Sequence, residues 1–310
     1  MDKKMIDIIV PVFNEADNIS LFRTAIEKTF APLKYNYTIY FIDDGSIDES
    51  LKIIKDLSMS YNNIKYITFS RNFGKDAAIQ AGLKYSKGDA CIMIDADLQH
   101  PVELIPEMIH YWENGYDTIY AFRDKANEHV SFTHQMSASF FYKTLILLSD
   151  IEIENGATDY RLTDRKVIDV LNNFSENDPY FRGLTKWIGF KQKAIPYTPN
   201  KRLHGTTKYS KRALLKLALR GITSFSVKPL NIATYLGFTF SILSLLYIPY
   251  ILYSLWFGHP ISGWASVIAT VVFFGGLQLM ILGIIGLYLG KLFMNSKHRP
   301  HFIISEENAS

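Results

Sequence analysis

Two carboxylates directly follow a short apolar run in the segment Ala90-Cys91-Ile92-Met93-Ile94-Asp95-Ala96-Asp97. An apolar run of this length, bounded by polar residues, is typical of a strand that is buried on both faces of a sheet. Three similar runs precede it, at residues 6–10, 37–42 and 64–69, and a stretch with helical spacing follows each run. This alternation predicts an α/β fold with a mostly parallel sheet and helices on both of its faces.

Polar loops follow all four predicted strands. Because ligands of parallel sheets bind beyond the carboxyl ends of the strands, we expect these loops to lie together at one edge. An isolated Asp-x-Asp is weak evidence, since about one is expected by chance in a chain of this length. Four polar loops at one edge are a more specific signal for a binding or catalytic site. The loops are Pro11-Val12-Phe13-Asn14-Glu15, Asp43-Asp44-Gly45-Ser46, Ser70-Arg71-Asn72-Phe73-Gly74-Lys75 and Asp95-Ala96-Asp97-Leu98-Gln99-His100-Pro101.

A long uncharged block lies near the C-terminus. Residues 229–290, 62 positions, contain no Asp, Glu, Lys or Arg. Within this block, residues 232–257 and 264–289 are each 26 residues long, whereas roughly 20 apolar residues are enough to cross a bilayer. The block predicts a two-helix transmembrane hairpin, with a buried helical hairpin of a soluble protein as the alternative. Lys and Arg flank the hairpin but are absent from its turn, which predicts a multi-pass plasma-membrane protein with both termini in the cytoplasm.

These patterns divide the chain into four parts. Residues 1–210 are a predicted cytoplasmic domain, and residues 229–294 contain the predicted hairpin. Between them, residues 211–228 combine apolar positions with basic side chains, which favours a helix and linker at the membrane surface. A solvated helix face over a protein core is the alternative. Residues 295–310 are a predicted cytoplasmic tail.

Composition argues against two further features. A net charge of only +3 offers no basis for binding nucleic acid through bulk charge. The single Cys91 excludes an internal disulfide and fits a reducing cytosol.

The four loops resemble those of the family 2 inverting glycosyltransferases. The matching residues are Pro11-Val12-Phe13-Asn14-Glu15, Asp43-Asp44-Gly45-Ser46, Arg71-Asn72-x-Gly74 and Asp95-Ala96-Asp97-Leu98-Gln99. The best match is the polyprenyl-phosphate branch, which is related to the dolichyl-phosphate mannose synthases. The similarity continues through Thr158-Asp159-Tyr160-Arg161-Leu162 and Thr207-Lys208-Tyr209-Ser210 into the paired spans.

This resemblance implies a Rossmann-like, A-type glycosyltransferase domain joined to a two-helix transmembrane hairpin. It also implies that a sugar is transferred with inversion from a nucleotide sugar, UDP-glucose or UDP-N-acetylglucosamine, to polyprenyl (undecaprenyl) phosphate. The product would be a lipid-linked monosaccharide for glycosylation of the cell envelope.

The donor site is implied by the same resemblance. A divalent cation, Mg²⁺ or Mn²⁺, would neutralise the diphosphate as it leaves. Asp97 is the first candidate for its ligand, and Asp95, also a candidate ligand, faces the sugar or ribose side. Arg71 and Lys75 are candidate diphosphate contacts, although a solvated lysine in the first turn of a helix is an open alternative for Lys75. The candidate donor-binding residues are Pro11, Asn14, Glu15, Asp43, Asp44, Arg71, Lys75, Asp95 and Ala96.

The acceptor site is implied by later segments. Asp159 is the candidate base, and a weak base suffices because a phosphate acceptor, with its second pKa of about 6, is already largely ionised at neutral pH. A structural salt bridge from Asp159 to Arg161 or Arg165 is the alternative. Asp159, Asp97 and Arg202 form the candidate catalytic set. The candidate contacts of the acceptor phosphate are Arg123, Arg202, Lys208 and Ser210. For the cations, binding of bulk lipid headgroups is the alternative.

Two other functional classes stay open at this point. A processive polysaccharide synthase would share the early loops, but the Gln-x-x-Arg-Trp segment that such enzymes generally carry is absent from the sequence. A catalytically silent membrane scaffold, or an assembly partner of a lipid flippase, is the alternative from another class. For the enzyme, we expect a nucleotide sugar, polyprenyl phosphate and membrane lipids as partners, and no nucleic acid. A homo-oligomer, a flippase and a downstream glycosyltransferase are further expectations.

Overall fold

The computed structural model describes residues 3–123, 157–174, 181–200, 226–258 and 263–309. Three acceptor-side candidates, Arg202, Lys208 and Ser210, lie outside the described residues. The same holds for residues 211–225 of the predicted surface helix. These assignments stay predictions from the sequence.

Four strand–helix units form the first half of the N-terminal α/β domain, as the alternation predicted. The strands are β1 (Met5–Val12), β2 (Asn36–Asp43), β3 (Ile64–Phe69) and β4 (Ala90–Met93). The helices are α1 (Ala16–Phe30), α2 (Ser50–Ser60), α3 (Lys75–Tyr85) and α4 (Ile105–Glu113), the last preceded by a 3₁₀ turn at Val102–Leu104. Ile8 and Val10 contribute to one apolar cluster, whereas Ile9 contributes to another. Since neighbouring side chains of a strand point to opposite faces, β1 is covered on both sides.

The second half contributes further strands to the same sheet. Its elements are β5 (Thr118–Arg123), β6 (Ala157–Asp164), α5 (Arg165–Asn172), α6 (Phe181–Trp187), β7 (Gln192–Tyr197) and β8 (Ile304–Glu307). The strand order is β7-β5-β6-β4-β1-β2-β3-β8. β1, β2, β3 and β4 pair in parallel, as do β5 and β7, but β6 runs antiparallel to β4 and β5, and β8 runs antiparallel to β3.

The sheet is mixed, but six of the eight strands that the structure describes, β1 to β5 and β7, run in the same direction, in agreement with the expectation of a mostly parallel sheet. The two strands that run the opposite way are β6 and β8. Because β6 runs antiparallel to β5, it begins at the edge of the sheet where β5 ends. The connection between the two strands therefore need not return to the opposite edge of the sheet. This direction matters for the site, because Met93 of β4 pairs with Arg161 of β6. Continuing the register by two positions brings Asp95 opposite Asp159.

The C-terminal segment also joins the sheet. Its strand β8 extends the sheet beyond β3, where Lys55 and Tyr66 contact Glu306 at 2.6 Å and 2.7 Å. Just before β8, the ring of Phe302 stacks on Phe69 with centroids 5.1 Å apart. The sequence analysis set residues 295–310 apart as a tail, whereas the structure packs much of this segment against the α/β domain.

Two long helices, α7 (Lys228–Phe257) and α8 (Trp264–Ser296), precede this segment. Among the described residues, one helix is long and apolar enough to cross a membrane: Ser266–Ser296, with 31 residues, whose most apolar stretch has a mean hydropathy of 2.3. None of its most apolar stretch is buried against the rest of the chain. The structure thus supports one candidate span, and a second span through α7 stays a proposal.

Candidate active site

One buried carboxylate joins the loops that follow β2 and β3. Asp44 is 4% exposed and accepts hydrogen bonds from the backbone N–H groups of Phe73 at 2.6 Å and Gly74 at 2.9 Å. The loops approach closely at Gly45 (φ +69°), where a Cβ would lie 2.6 Å from the carbonyl carbon of Arg71. Burial raises the pKa of Asp44, and the two N–H groups oppose that rise. Asp44, a candidate donor contact, therefore also fixes the shape of two donor-side loops.

The loop after β1 is fastened to the loop after β2. Asn14 has a φ of +56°, a left-handed conformation that asparagine tolerates better than most residues. Its backbone N–H donates to Ser46 Oγ at 3.0 Å, and its Oδ1 accepts from the N–H of Ile47 at 2.9 Å. Asp43 is buried and accepts from Thr68 Oγ1 at 2.6 Å. These contacts hold three candidate loops in one arrangement at the carboxyl edge of the sheet.

The other early donor-side candidates lie along the same edge. Pro11 lies in β1 beyond the last residue that pairs with β4, so its missing N–H removes no hydrogen bond to that strand. Glu15 immediately precedes α1 and accepts from Asn18 Nδ2 at 2.6 Å. The guanidinium of Arg71 is exposed and lies 3.9 Å from the ring centre of Phe73. An exposed guanidinium at this edge suits an anionic ligand.

Lys75 joins two of the candidate carboxylates. Its ammonium lies 2.5 Å and 2.8 Å from the two carboxylate oxygens of Asp95. It also lies 3.2 Å from Asp159 Oδ2. The three residues come from α3, the loop after β4, and β6, and they meet because of the β4–β6 register. Lys75 is therefore an ion-paired residue at the centre of the site, although its side chain stays 38% exposed.

Arg182 of α6 holds the other side of Asp159. Its Nε and one terminal nitrogen donate to the two carboxylate oxygens at 2.7 Å and 2.9 Å, which is bidentate geometry. Of the two arginines that the sequence analysis named as partners, Arg165 donates to the carbonyl of Gly88. The charge of Arg161 acts on Asp159 from nearby. The arginine that grips Asp159 is thus one that the sequence analysis did not name.

Charge pairing keeps this cluster ionised. Burial by itself would raise the pKa of Asp95, but Lys75 and a hydrogen bond from His100 hold that pKa well below its usual range. Burial likewise opposes ionisation of Asp159, and the charges of Lys75 and Arg182 lower its pKa well below the ordinary value. For Lys75, burial lowers the pKa, yet the two carboxylates outweigh burial and raise it. All three groups are therefore charged near neutral pH.

Asp97 lies in the turn after β4. Its Oδ1 accepts from the N–H of Gln99 at 3.1 Å, and Leu98 between them has a φ of +57°, a strained conformation for a bulky residue. Ala96 is buried, whereas Asp97 is partly exposed. Strained loops of this kind are common at ligand sites.

A divalent cation such as Mg²⁺ or Mn²⁺ requires oxygen ligands, which carboxylates at this edge could provide. Among the residues that the structure describes, no three His, Cys, Asp or Glu side chains are grouped so that they could hold a metal. Mg²⁺, however, usually binds one or two carboxylates together with substrate phosphates and water. The partly exposed carboxylate of Asp97 fits that pattern. The carboxylate of Asp95 is already engaged by Lys75 and His100.

A short chain of contacts leads from Asp95 to Arg123. His100 Nε2 lies 3.3 Å from Asp95 Oδ2, and His100 Nδ1 lies 2.8 Å from the hydroxyl oxygen of Tyr197. Arg123, the last residue of β5, donates from Nε to that oxygen at 3.4 Å. The structure thus brings one acceptor-side candidate to the same edge as the donor-side loops.

Sequence reasoning missed Arg182, His100 and Tyr197 as members of this site. His100 belongs to a loop that was already selected, so its place five residues after Asp95 was an available signal. Arg182 and Tyr197 lie in α6 and β7, in segments without a local motif. Only the fold brings them to the cluster.

Comparisons with known proteins agree with this geometry. Residues 7–171 match the model of the family described as Glycosyl transferase family 2. The putative glycosyltransferase CsbB of Bacillus subtilis (strain 168) is 40% identical over 309 residues, which cover 99% of this chain and 93% of that protein. A bactoprenol glucosyl transferase of Shigella phage SfV is 38% identical over 305 residues, covering 97% of this chain and 98% of that protein.

Among solved structures, the mannosyltransferase PcManGT from Pyrobaculum calidifontis, in complex with GDP-Man and Mn²⁺, is similar in fold. The TM-score is 0.50 at 15% sequence identity, and the match covers 72% of this chain and 63% of that chain. At this identity the likeness concerns the fold alone.

Proposed function

Because the chain belongs to glycosyl transferase family 2, we propose that it transfers a sugar from a nucleotide sugar to polyprenyl phosphate with inversion. The observation that carries this proposal is the cluster of Lys75, Asp95, Asp159 and Arg182 at the carboxyl edge of the sheet. It places ionised carboxylates and cations beside Asp97 at the edge where α/β sheets bind ligands. Similarity along nearly the whole length of bactoprenol glucosyl transferases supports a polyprenyl acceptor.

The donor-side loops suit a nucleotide sugar. The loops after β1, β2 and β3 are fastened to one another, which gives the nucleotide a preformed surface. The exposed guanidinium of Arg71 is our candidate for a diphosphate contact. Glucose and N-acetylglucosamine, each carried by UDP, are the sugars that we propose to test first.

Asp97 is the residue that we propose to hold a divalent cation, Mg²⁺ or Mn²⁺. When bound, such a cation supplies positive charge that stabilises the departing diphosphate. In this scheme Asp95 stays with Lys75 and His100 and faces the sugar side. The relevant observations are the partial exposure of Asp97 and the engaged oxygens of Asp95.

The transfer step needs little proton chemistry. A phosphate oxygen of the lipid attacks the anomeric carbon of the sugar, and the bond from that carbon to the diphosphate breaks with its electron pair leaving on UDP. Attack on the face opposite the leaving group inverts the configuration. The acceptor phosphate is largely ionised at neutral pH, so the reaction needs little help from a base. Asp159, ionised and held by Arg182, is a weak base that would accept a remaining proton only as the phosphate oxygen bonds to carbon and the phosphate becomes more acidic.

The acceptor enters from the membrane in this proposal. Helix α8 and, as proposed, α7 cross the bilayer with both chain termini in the cytoplasm, and residues 211–228 lie at the headgroups. Arg123 lies at the edge of the described site. Together with Arg202, Lys208 and Ser210, which the sequence points to, it would contact the lipid phosphate. The product then needs translocation and a downstream glycosyltransferase, and we expect the enzyme to act as a homo-oligomer.

A donor screen tests the proposal. Purified protein in undecaprenyl-phosphate-containing liposomes is mixed with single UDP-sugars and Mg²⁺ or Mn²⁺, and the lipid product is identified by mass spectrometry. We expect one hexosyl lipid, and none from an Asp97→Asn variant. Asp56→Asn, at an exposed position of α2, is the matched control and should keep full activity.

Absence of product from folded wild-type protein with every donor would overturn the enzymatic proposal. That outcome would favour the alternative, a silent scaffold or flippase assembly partner. Full activity of Asp97→Asn would leave the reaction in place and remove Asp97 from it.

A further inference from the structure

Resting on the proposed function, we infer that His100 is a positioning residue that, through Tyr197, couples the donor-side carboxylate of Asp95 to the acceptor-side cation Arg123. The inference goes beyond the reaction itself, because neither His100 nor Tyr197 needs to touch a substrate. It concerns how the two substrates are held relative to each other.

The first step is the burial of the imidazole. His100 is 4% exposed, and its ring packs between those of Tyr160 and Tyr197, with centroid distances of 5.3 Å and 5.4 Å. A buried imidazole is expected to have hydrogen-bond partners for both nitrogens. The partners here are Asp95 Oδ2 at 3.3 Å and the Tyr197 hydroxyl at 2.8 Å.

The second step is the direction of the hydrogen bonds. A guanidinium only donates, so the Tyr197 oxygen accepts from Arg123 Nε at 3.4 Å. The Tyr197 hydroxyl hydrogen is then available for His100 Nδ1. With Nδ1 accepting, Nε2 carries the hydrogen and donates to Asp95. In this arrangement each donor of the chain of contacts meets an acceptor.

The contacts through His100 and Tyr197 hold Asp95 at one end and Arg123 at the other. Lys75 binds the carboxylate of Asp95 from α3, and His100 binds it from the loop after β4. Arg123 is tied to the same network from β5. In the proposed reaction, Asp95 faces the sugar and Arg123 faces the lipid phosphate. The network thus sets the relative position of the two reacting molecules, which governs the rate of transfer more than the affinity for either one.

The test removes one hydroxyl at a time. Tyr197→Phe deletes the link between His100 and Arg123 and keeps the ring. Tyr160→Phe is the matched control, since its hydroxyl donates to the carbonyl of Pro101 at 3.0 Å while its ring packs on the same imidazole. Tyr197→Phe removes the hydrogen bonds with His100 and Arg123. We expect it to lower kcat about tenfold, with KM for the UDP-sugar within about twofold. Tyr160→Phe should stay within about twofold in both.

A second pair of variants separates positioning from packing. His100→Gln keeps a donor and an acceptor, whereas His100→Leu keeps only bulk. We expect Gln to retain several-fold more kcat than Leu. Equal kcat for the two, or equal values for Tyr197→Phe and Tyr160→Phe, would overturn the positioning role while wild-type turnover upholds the proposed function. A wild type that forms no lipid-linked sugar would overturn the proposed function, and the inference with it.

Discussion

Replacing Arg182 by Gln should destabilise the α/β domain, because Asp159 loses its bidentate partner. The two hydrogen bonds, at 2.7 Å and 2.9 Å, join charged groups, and such bonds contribute about 1.5–3 kcal/mol each. The Arg182 side chain is 32% exposed, and Lys75 remains as a partner of Asp159 at 3.2 Å. The exposure of Arg182 and the remaining contact with Lys75 both reduce the effect of the substitution. We therefore expect the free energy of unfolding to fall by about 2 kcal/mol rather than by the full contribution of two charged hydrogen bonds.

The assay is thermal unfolding in detergent. For a domain of 150–250 residues, 2 kcal/mol corresponds to a decrease in Tm of roughly 4–8 °C. Arg182→Lys keeps the positive charge but cannot donate two parallel hydrogen bonds to Asp159. We expect its Tm to lie between those of Arg182→Gln and wild type. Lys52→Gln breaks the exposed pair with Glu49 and is the matched control. Its Tm should stay within about 1 °C of wild type.

The effect of Arg182→Gln on stability should depend on pH in a way that follows from the lowered pKa of Asp159. Asp159 has a lowered pKa in the folded protein, so its contribution to the free energy of unfolding is fully present above its unfolded pKa of about 3.9. The contribution is lost as pH falls through the folded value. We therefore expect a constant difference in Tm between wild type and Arg182→Gln from about pH 5 to 8, and a smaller difference below about pH 4.

A double-mutant cycle decides whether the pair itself is responsible. Combining Arg182→Gln with Asp159→Asn should reveal a coupling energy of about 2 kcal/mol. The reasoning would be refuted if the two substitutions lowered the free energy of unfolding additively. It would also be refuted if the Tm of Arg182→Gln matched that of Lys52→Gln. In that case the bidentate contact would contribute nothing measurable to stability.

Three further predictions concern metal, topology and the C-terminal segment. Asp97→Ala should abolish transfer while the protein still folds and inserts, and EDTA should stop the wild type until Mg²⁺ or Mn²⁺ is added back; normal turnover of the variant at saturating donor would contradict the metal role. In a Cys91→Ala background, Ser262→Cys should react with an impermeant thiol reagent outside intact cells, and labelling only after lysis would exclude the hairpin topology. Phe302→Ala should lower Tm by about 4 °C or more through loss of the stack on Phe69, whereas Ile303→Ala, at a position 52% exposed, should change it little.

The first half of the sheet was predictable because its signals are local. Each of β1 to β4 is an apolar run that ends in a polar loop, and parallel strands bring those loops to one edge whatever the details of packing. The donor-side candidates Asn14, Asp44, Lys75 and Asp95 accordingly lie together. Their mutual contacts, such as Asp44 with the backbone at residues 73 and 74, required the structure.

The second half was less predictable because its signals are not local. The place of Asp159 beside Asp95 depends on β6 running antiparallel between β4 and β5, and no pattern within residues 157–164 specifies that neighbour. Arg182 reaches Asp159 from a helix of seven residues. The C-terminal strand β8 has only four residues, two of them adjacent glutamates. Its alternation of apolar and polar residues is therefore too weak to be recognised in the sequence.

The balance of charge at the site argues for cations beyond the cluster itself. The described site carries more carboxylates than cations, with a formal excess of two negative charges. The carboxylates are Glu15, Asp43, Asp44, Asp95, Asp97 and Asp159, and the cations are Arg71, Lys75, Arg123 and Arg182. A nucleoside diphosphate sugar and a lipid phosphate together bring about four negative charges at neutral pH.

Because Lys75 and Arg182 are already paired with carboxylates, the substrates must either displace those partners or recruit additional positive charge. One divalent cation with Arg202 and Lys208 would contribute four positive charges. We therefore expect metal and loop cations to be required together: Arg202→Ala should weaken apparent affinity for the lipid even at saturating metal, and excess metal should not restore it.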